Sequence, residues 1–402
     1  MLTDELLTAA RTYSADVVAL RRAIHAEPEL GLHTPKTMAK VREALADLPL
    51  EWREGSSTTG QIATLTGGQP GAEGHGRVLL RGDMDALPME EKTGLEFAST
   101  IEGRMHACGH DTHTAMLAGA ARVLAAQRDT IAGTIDFMFQ PGEEGFHGAR
   151  FMIDDGLLDP LADAAFALHI MPNAAFGVIA GRSGALLAAA DQFDITVSGK
   201  GGHASMPHDC SDPVPAAAAI VSALQAMVTR RFSAADAVVV TVTQMHGGTA
   251  HNIIPDDVQL SGTIRTLSPE NRARAQALIA ECAEQTAAAH GVSAKCTITP
   301  GFPVTLCDPR AVKLGERVAK RNNGDGAWRD LADPIMGAED FSYVLEKTPG
   351  AMFFLGVAAD GEDWTQCCSI HSPRMTVDED ALPHGTAMLA GCALEFLENG
   401  WS

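Results

Sequence analysis

"DQFDITVSG", residues 191–199, alternates apolar and polar side chains over the length of one strand, and the punctuation that follows it decides the fold. An Ala-rich helix is predicted over 212–231, opened by Asp212 and Pro213. "AVVVTVTQM" (237–245) and "DVQLSGTIRTL" (257–267) then read as two strands. A second helix starts at Ser268, with Pro269 in its first position and Glu270 behind, and ends near His290-Gly291; "SAKCTIT" (293–299) closes as a strand. Strand, helix, strand, strand, helix, strand is the split βαβ order of a ferredoxin-like α+β module. Its length, about 110 residues, suits one small domain.

The flanks read differently. "RVLLRGDMDA" (77–86), "TIDFMFQPGEE" (134–144), "AAFALHI" (164–170) and "AMFFLGV" (351–357) are apolar strands alternating with helical segments, including one predicted over 112–127. Such strands suit an α/β domain with a mainly parallel sheet and helices on both faces. We therefore expect a catalytic domain in two parts, 1–187 and 300–402, interrupted by an inserted ferredoxin-like lid or dimerisation domain, 188–299. A plain tandem array is the lesser alternative, because it would leave His371 far from the cysteine and histidines of 106–113. "GGQPGAEGHG" (67–76) reads as a surface loop.

Composition narrows the function. Among 402 residues, 51 acids against 30 basic residues give a net charge of −21, which disfavours nucleic acid and anionic membrane as partners and obliges any anionic ligand to meet a local cation. No stretch approaches a membrane span. "MLTDELLTAARTYSADVVALRRAIH" (1–25) carries early acids and reads as an amphipathic helix rather than a signal peptide. Eight cysteines without regular spacing point to a reducing, cytoplasmic setting rather than a disulfide framework.

Of these thiols, Cys108 has the neighbours that suggest chemistry. "MHACGHDTH" (105–113) gathers His106, Cys108, His110, Asp111 and His113 just ahead of a predicted helix. Three predicted strands end on polar residues: Asp83 and Asp85, then Glu143 and Glu144, then His169. In open α/β sheets ligands gather at that edge. Cys108, His110, Glu144 and His169 make a mixed N/O/S set that zinc and neighbouring divalent ions accept. Each element alone is weak, since a Cys-x-His pair is more often two satisfied core residues and adjacent glutamates a solvated turn. Two glutamates would divide the labour of a hydrolytic site, one binding metal and one moving the proton of the attacking water.

Taken in order, "RGDMDALPMEE" (81–91), "MHACGHDTHTAMLAGAA" (105–121), "FQPGEEGFHGA" (139–149), "GKGGHASMPH" (199–208), "HNIIPD" (251–256) with "SGTIRT" (261–266), "MGAEDFSY" (336–343) and "HSP" (371–373) resemble the hippurate hydrolase and N-acyl-L-amino acid amidohydrolase branch of the aminoacylase-type di-metal peptidases, from about residue 20 to 395. The resemblance implies a di-zinc exopeptidase-like catalytic domain. It also implies a two-metal centre of Cys108, His110, Glu144, His169 and His371, with the thiolate bridging and Glu143 as general base. Asp83 and Asp85 then support the ligands, as does Asp111, with His106 and His113 supporting or capping the helix. In the inserted domain His203 would stabilise the developing oxyanion, in cis or in trans, and Asn252 and Arg265 would hold the substrate's carboxylate. Arg265, taken alone, would more often be a surface ion pair.

The implied cofactors are two divalent ions, zinc, manganese, cobalt or nickel, and the implied partner is a small N-acyl amino acid. A homodimer or homotetramer joined through the inserted domain is expected, though no residue pattern supplies it. Dipeptidase or N-acetyl-diaminopimelate deacetylase activity is the near alternative. Cys108 as a nucleophile with a nearby histidine base is a competing mechanism, and a catalytically silent metal- or peptide-binding protein is the alternative from a different class.

Overall fold

Three helices begin on the same grammar, an acceptor side chain followed by proline. Asp212 accepts from the Val214 amide ahead of Pro213–Arg231, Ser268 from the Asn271 amide ahead of Pro269–Ala289, and Asp308 from the Arg310 amide ahead of Pro309–Asn323. The cap satisfies an amide that the first turn leaves unpaired, and proline at N1 forfeits no intrahelical bond. The computed structural model describes residues 5–402, so the first four residues of the expected N-terminal helix lie outside it; the rest of that stretch forms two helices, Leu6–Thr12 and Ser14–His25, parted at Tyr13.

The chain divides into two compact units, one of residues 1–186, 306–333 and 340–402, the other of 187–305 and 334–339. The second unit contains a four-stranded antiparallel sheet in the spatial order Val238–Gly247, Asp257–Thr266, Ala189–Ser198, Ser293–Thr299. With the two long helices between strands, this is the ferredoxin-like order. Along Ala189–Ser198, Phe193, Ile195 and Val197 are fully buried while Gln192 and Asp194 are exposed, as a sheet covered on one face requires. Helix residues Ala216, Ile220, Leu224 and Ile279 fill that core. Asp191 faces inward too, and is satisfied by Arg272, Gln276 and the Gly301 amide.

The first unit is built on an eight-stranded sheet. Its middle four strands, Thr134–Gln140, Arg77–Asp83, Ala164–Met171 and Gly350–Gly356, are mutually parallel. Nearly every residue of these strands is buried, so both faces are covered. Strands Glu51–Glu54 and Gln61–Thr66 extend one side antiparallel, and two three-residue strands, Ile179–Gly181 and Trp328–Asp330, extend the other. Helix Leu382–Asn399, buried along most of its length, packs with helix His110–Ala125 over the sheet.

Helix Ser14–His25 packs against His110–Ala125 through buried ions. Arg21 Nε donates to Asp111 Oδ2 at 2.7 Å, and His25 Nδ1 lies 2.8 Å from the same oxygen, with its Nε2 3.2 Å from Glu91 Oε1. Burial favours the neutral imidazole, but the Asp111 charge and the hydrogen bonds to Asp111 and Glu91 outweigh it and raise His25 from 6.5 to about 9. Because the folded value is the higher one, this stabilisation is full below about pH 6.5 and fades as pH rises through about 9. Thermal melts over that window should show wild-type stability falling while a His25→Gln variant, already less stable, changes less. Equal slopes would contradict this account. In the other unit, Phe193→Ala should cost about 3–5 kcal/mol, read as a lowered urea midpoint.

Candidate metal centre

The four parallel middle strands end along one edge of their sheet. Asp83 is the last residue of its strand and Asp85 stands two beyond; the turn Pro141–Glu144 follows Gln140; His169 lies inside Ala164–Met171, two residues from its end. Helix His110–Ala125 starts at this rim, two residues earlier than its sequence suggests, so His110 and Asp111 occupy its first turn. Gly109 makes the entry possible: its φ is +89°, and a Cβ there would sit 2.5 Å from Ile170 Cγ1.

The rim collects the expected donors. Cys108, His110 and His169 place one ligand atom each within 4.8 Å of one another, and so do Cys108, Glu144 and His371, so the thiol belongs to both groups. Cys108 Sγ lies 3.3 Å from His169 Nε2. His169 Nδ1 donates to the Ile170 carbonyl (2.6 Å), and since a carbonyl only accepts, the proton sits on Nδ1 and the Nε2 lone pair faces the thiol. His371 Nε2 stands 3.2 Å from Glu144 Oε1. Its backbone is held in the left-handed region, φ +62°, by an amide bond to the Ala107 carbonyl (2.7 Å), which sets the C-terminal segment directly beside Cys108.

His110 supplies the test of whether a metal fits. It is wholly buried, yet neither ring nitrogen makes a hydrogen bond; the nearest carboxylate oxygens are Asp85 Oδ1 at 3.5 Å, Asp83 Oδ2 at 3.6 Å and Glu143 Oε2 at 4.0 Å. Buried polar atoms are otherwise paired. One lone-pair nitrogen each from His110 and His169, a thiol and carboxylates at this spacing are a donor set that a divalent cation satisfies. Electrostatics agree. Burial would lower His110, but Asp83 raises it well above the usual histidine range, and burial pushes the Cys108 thiol up. Hydrogen bonds to Cys108 and Glu144 lift His371 to about 10. The surrounding acids thus favour the proton on His110 and His371, whereas burial pushes His169 well below the usual histidine range.

A set of side chains fixes the rim. Asp85 accepts from the amides of Glu143 (2.9 Å) and Glu144 (3.0 Å), pinning both glutamates through their backbone. His113 Nε2 accepts from the Ile170 amide (2.9 Å), so Nδ1 carries the proton toward Asp83 Oδ1 at 2.7 Å. Asp83 also takes Arg81 Nη1 at 2.6 Å; burial opposes its charge, but Arg81 and the nearby histidines hold its carboxyl well below the usual range. Asp111 does not cap the helix; Gly109 is the N-cap, and Asp111 holds Arg21 and His25. Both ring nitrogens of His106 are buried without a hydrogen bond, and burial pushes it to about 3.

Arg21, His25, Arg81, Gln140 and Asp340 were not legible as site residues. Asp340 accepts from Arg81 Nη2 (3.1 Å), Gln140 Nε2 (2.7 Å) and the Ala149 amide (2.9 Å). The available signals were Arg81 inside an otherwise apolar strand and Arg21 and His25 four apart on one helix face.

The remaining expected residues belong to the second unit. His203 and Asn252 share a small ribbon, in which Ile253 pairs with His203 and the Asn252 carbonyl accepts from the Ala204 amide at 3.0 Å. His203 Nδ1 accepts from the Ser205 amide (3.2 Å) and lies 2.8 Å from Ser205 Oγ, which leaves the proton on Nε2. Arg265 is half-buried on strand Asp257–Thr266 and its side chain has no hydrogen bond or ion pair among the described residues; burial lowers its pKa. The ion pair that a lone strand arginine would more often make is not found among the described residues, and nearby Asp191 pairs with Arg272 instead.

The sequence profile of peptidase family M20/M25/M40 matches residues 79–395. The chain is 38% identical over 386 residues to IAA-amino acid hydrolase ILR1-like 2 of Arabidopsis thaliana, covering 95% of this chain and 85% of that one. It is 36% identical over 390 residues to N-acetyl-L-cysteine deacetylase of Bacillus subtilis (strain 168), covering 96% and 90%. Among solved structures it superimposes with a TM-score of 0.82 on the Bacillus subtilis YXEP protein, described as a dinuclear metal binding peptidase from the M20 family, at 32% identity over 96% of this chain and 99% of that one. The chain belongs to the M20/M25/M40 peptidase family.

Proposed function

We propose that this protein is a metal-dependent amidohydrolase that cleaves the amide bond of N-acyl-L-amino acids, and that Cys108, His110, Glu144, His169 and His371 would hold two divalent ions with the Cys108 thiolate common to both. The observation that carries the reading is the membership of Cys108 in both donor groups, one completed by His110 and His169 and the other by Glu144 and His371. The names of the relatives, an amino acid conjugate hydrolase and a deacetylase, favour N-acyl amino acids, and the YXEP protein favours two ions.

Two divalent ions in this centre would supply Lewis acidity toward the scissile carbonyl and the attacking water. A thiolate donor favours zinc among zinc, manganese, cobalt and nickel. Glu143, pinned by Asp85 and with Oε2 4.0 Å from His110 Nε2, takes the water's proton on its carboxylate and passes it to the leaving nitrogen. Asp83, Asp85 and Asp111 orient these groups. His203 donates from Nε2 to the carbonyl oxygen as charge develops there. Arg265, a half-buried guanidinium without a partner among the described residues, binds the substrate's free carboxylate together with Asn252. Among the described residues no helix is long and apolar enough to cross a membrane, and all eight cysteines are free. We place the protein in the cytoplasm as a homodimer or homotetramer.

The function is tested by assaying N-acetyl and N-benzoyl amino acids and dipeptides with metal-stripped protein, before and after restoring zinc, manganese, cobalt or nickel. Turnover of an N-acyl amino acid, lost on stripping and regained on restoration, is expected; a chelator-resistant, alkylation-sensitive activity would point instead to Cys108 as a nucleophile. Glu143→Ala should lower kcat by at least about 10²-fold while bound metal stays near wild type. Activity surviving that change would remove Glu143 from the role. Arg265→Ala should raise KM for free-acid substrates while leaving their amidated counterparts little changed; an equal loss on both would refute the assignment.

A further inference from the structure

Helix Ser14–His25 gives no ligand to the centre, yet it grips two of the chain segments that do. Arg21, 1% exposed, reaches Asp111 through Nε and Glu379 Oε1 through Nη1 at 3.0 Å. Asp111 adjoins His110, and Glu379 lies at the far end of the loop that starts at His371. Arg22 adds a second contact, its Nη2 2.5 Å from Glu379 Oε2. One turn along the helix, His25 joins Asp111 to Glu91, and the next residue in that loop, Lys92, donates its amide to the Pro373 carbonyl at 2.7 Å. Two routes therefore run from Asp111 to the 371–379 loop, one through Arg21 and Glu379, the other through His25, Glu91 and Pro373.

Stability alone is a weak reason for this cluster, because a buried ion network is often matched or bettered by apolar residues of the same volume. What it supplies is fixed relative geometry. The donors differ in how much they need that. Cys108, His110 and His169 are buried on the sheet and helix framework, whereas the His371 side chain is half exposed on a loop. We propose that Arg21 and His25 are positioning residues that hold the His371 loop against the His110 turn and so set the affinity of the ion taken by Cys108, Glu144 and His371. The proposal rests on the two-ion reading above.

The test is titration of metal-free protein with Zn²⁺ in competition with a chromophoric chelator. The wild type alone decides the underlying reading, since fewer than two bound ions would overturn it before any variant is compared. Arg21→Met and His25→Gln are expected to weaken the second ion by about tenfold or more, the lower range for supporting groups around a metal, and to leave the first within about twofold. Glu379→Gln, which keeps the shape of its side chain, should act in the same direction and serves if Arg21→Met fails to fold. Glu395→Gln, which disrupts the buried pairing with Arg317 and Arg321, is the control that lowers the melting temperature without touching either affinity. Loss of stability with both affinities at wild-type values, or equal weakening of both ions, would overturn the proposal.

Discussion

One backbone hydrogen bond, from the His371 amide to the Ala107 carbonyl, makes a single site out of two distant parts of the chain. The other donors ride on the parallel strands or on the first turn and entry of a buried helix, and would converge with or without the C-terminal segment. His371 does not; it comes from a loop and stands at φ +62°, a conformation that costs a residue with a Cβ about 1 kcal/mol or more. Such strain persists where the surroundings over-determine the backbone, and it gathers at functional sites. Here the Ala107 bond and the Lys92 to Pro373 bond fix the loop at its start. The residue that completes the second donor group is thus held by backbone, leaving its imidazole free to face Glu144.

Charge explains why the rim needs a cation. Asp83, Asp85, Glu143 and Glu144 converge on it within a chain that already carries −21. Asp83 is compensated by Arg81 and His113, and Asp85 by two backbone amides. Much of what remains falls on histidines, whose affinity for protons is raised at positions 110 and 371. A divalent ion held here would replace those protons, and His110, whose ring nitrogens make no hydrogen bond, would offer it a lone pair. Arg265 is the converse case in the other unit, a cation without a protein partner among the described residues.

What the sequence revealed tracks how local each signal is. The strands and helices of the second unit were legible to within about two residues because every element carries its own marks: alternation over 191–199, and Asp212-Pro213 and Ser268-Pro269 at the helix starts. The buried middle strands were legible as apolar runs. Glu51–Glu54 and Gln61–Thr66 were not, since "EWRE" is short and polar and "QIATLT" gains its place only by pairing with Thr134–Gln140. The start of the 110–125 helix was missed because its cap is a left-handed glycine rather than a hydrogen-bonding side chain. Four candidate metal donors came to notice at strand ends and in the Cys-x-His pair, His371 only through a resemblance, and the pairings of Arg21, His25, Arg81 and Asp340 stayed hidden because a charged residue declares its burial only once its partner across the fold is known.

Asp85 shows how little machinery would separate the proposed ligand, Glu144, from the proposed base, Glu143. Its two oxygens accept from the amides of consecutive residues, so the turn cannot shift along the chain without breaking both bonds. With the backbone fixed, the two side chains go to different neighbours: Glu143 Oε2 comes within 4.0 Å of His110 and Glu144 Oε1 within 3.2 Å of His371. A slip of one residue would bring a glycine, Gly142 or Gly145, into the place of one of the two glutamates. Chemically identical carboxylates can therefore take opposite parts, and what fixes their backbone is a third carboxylate, Asp85.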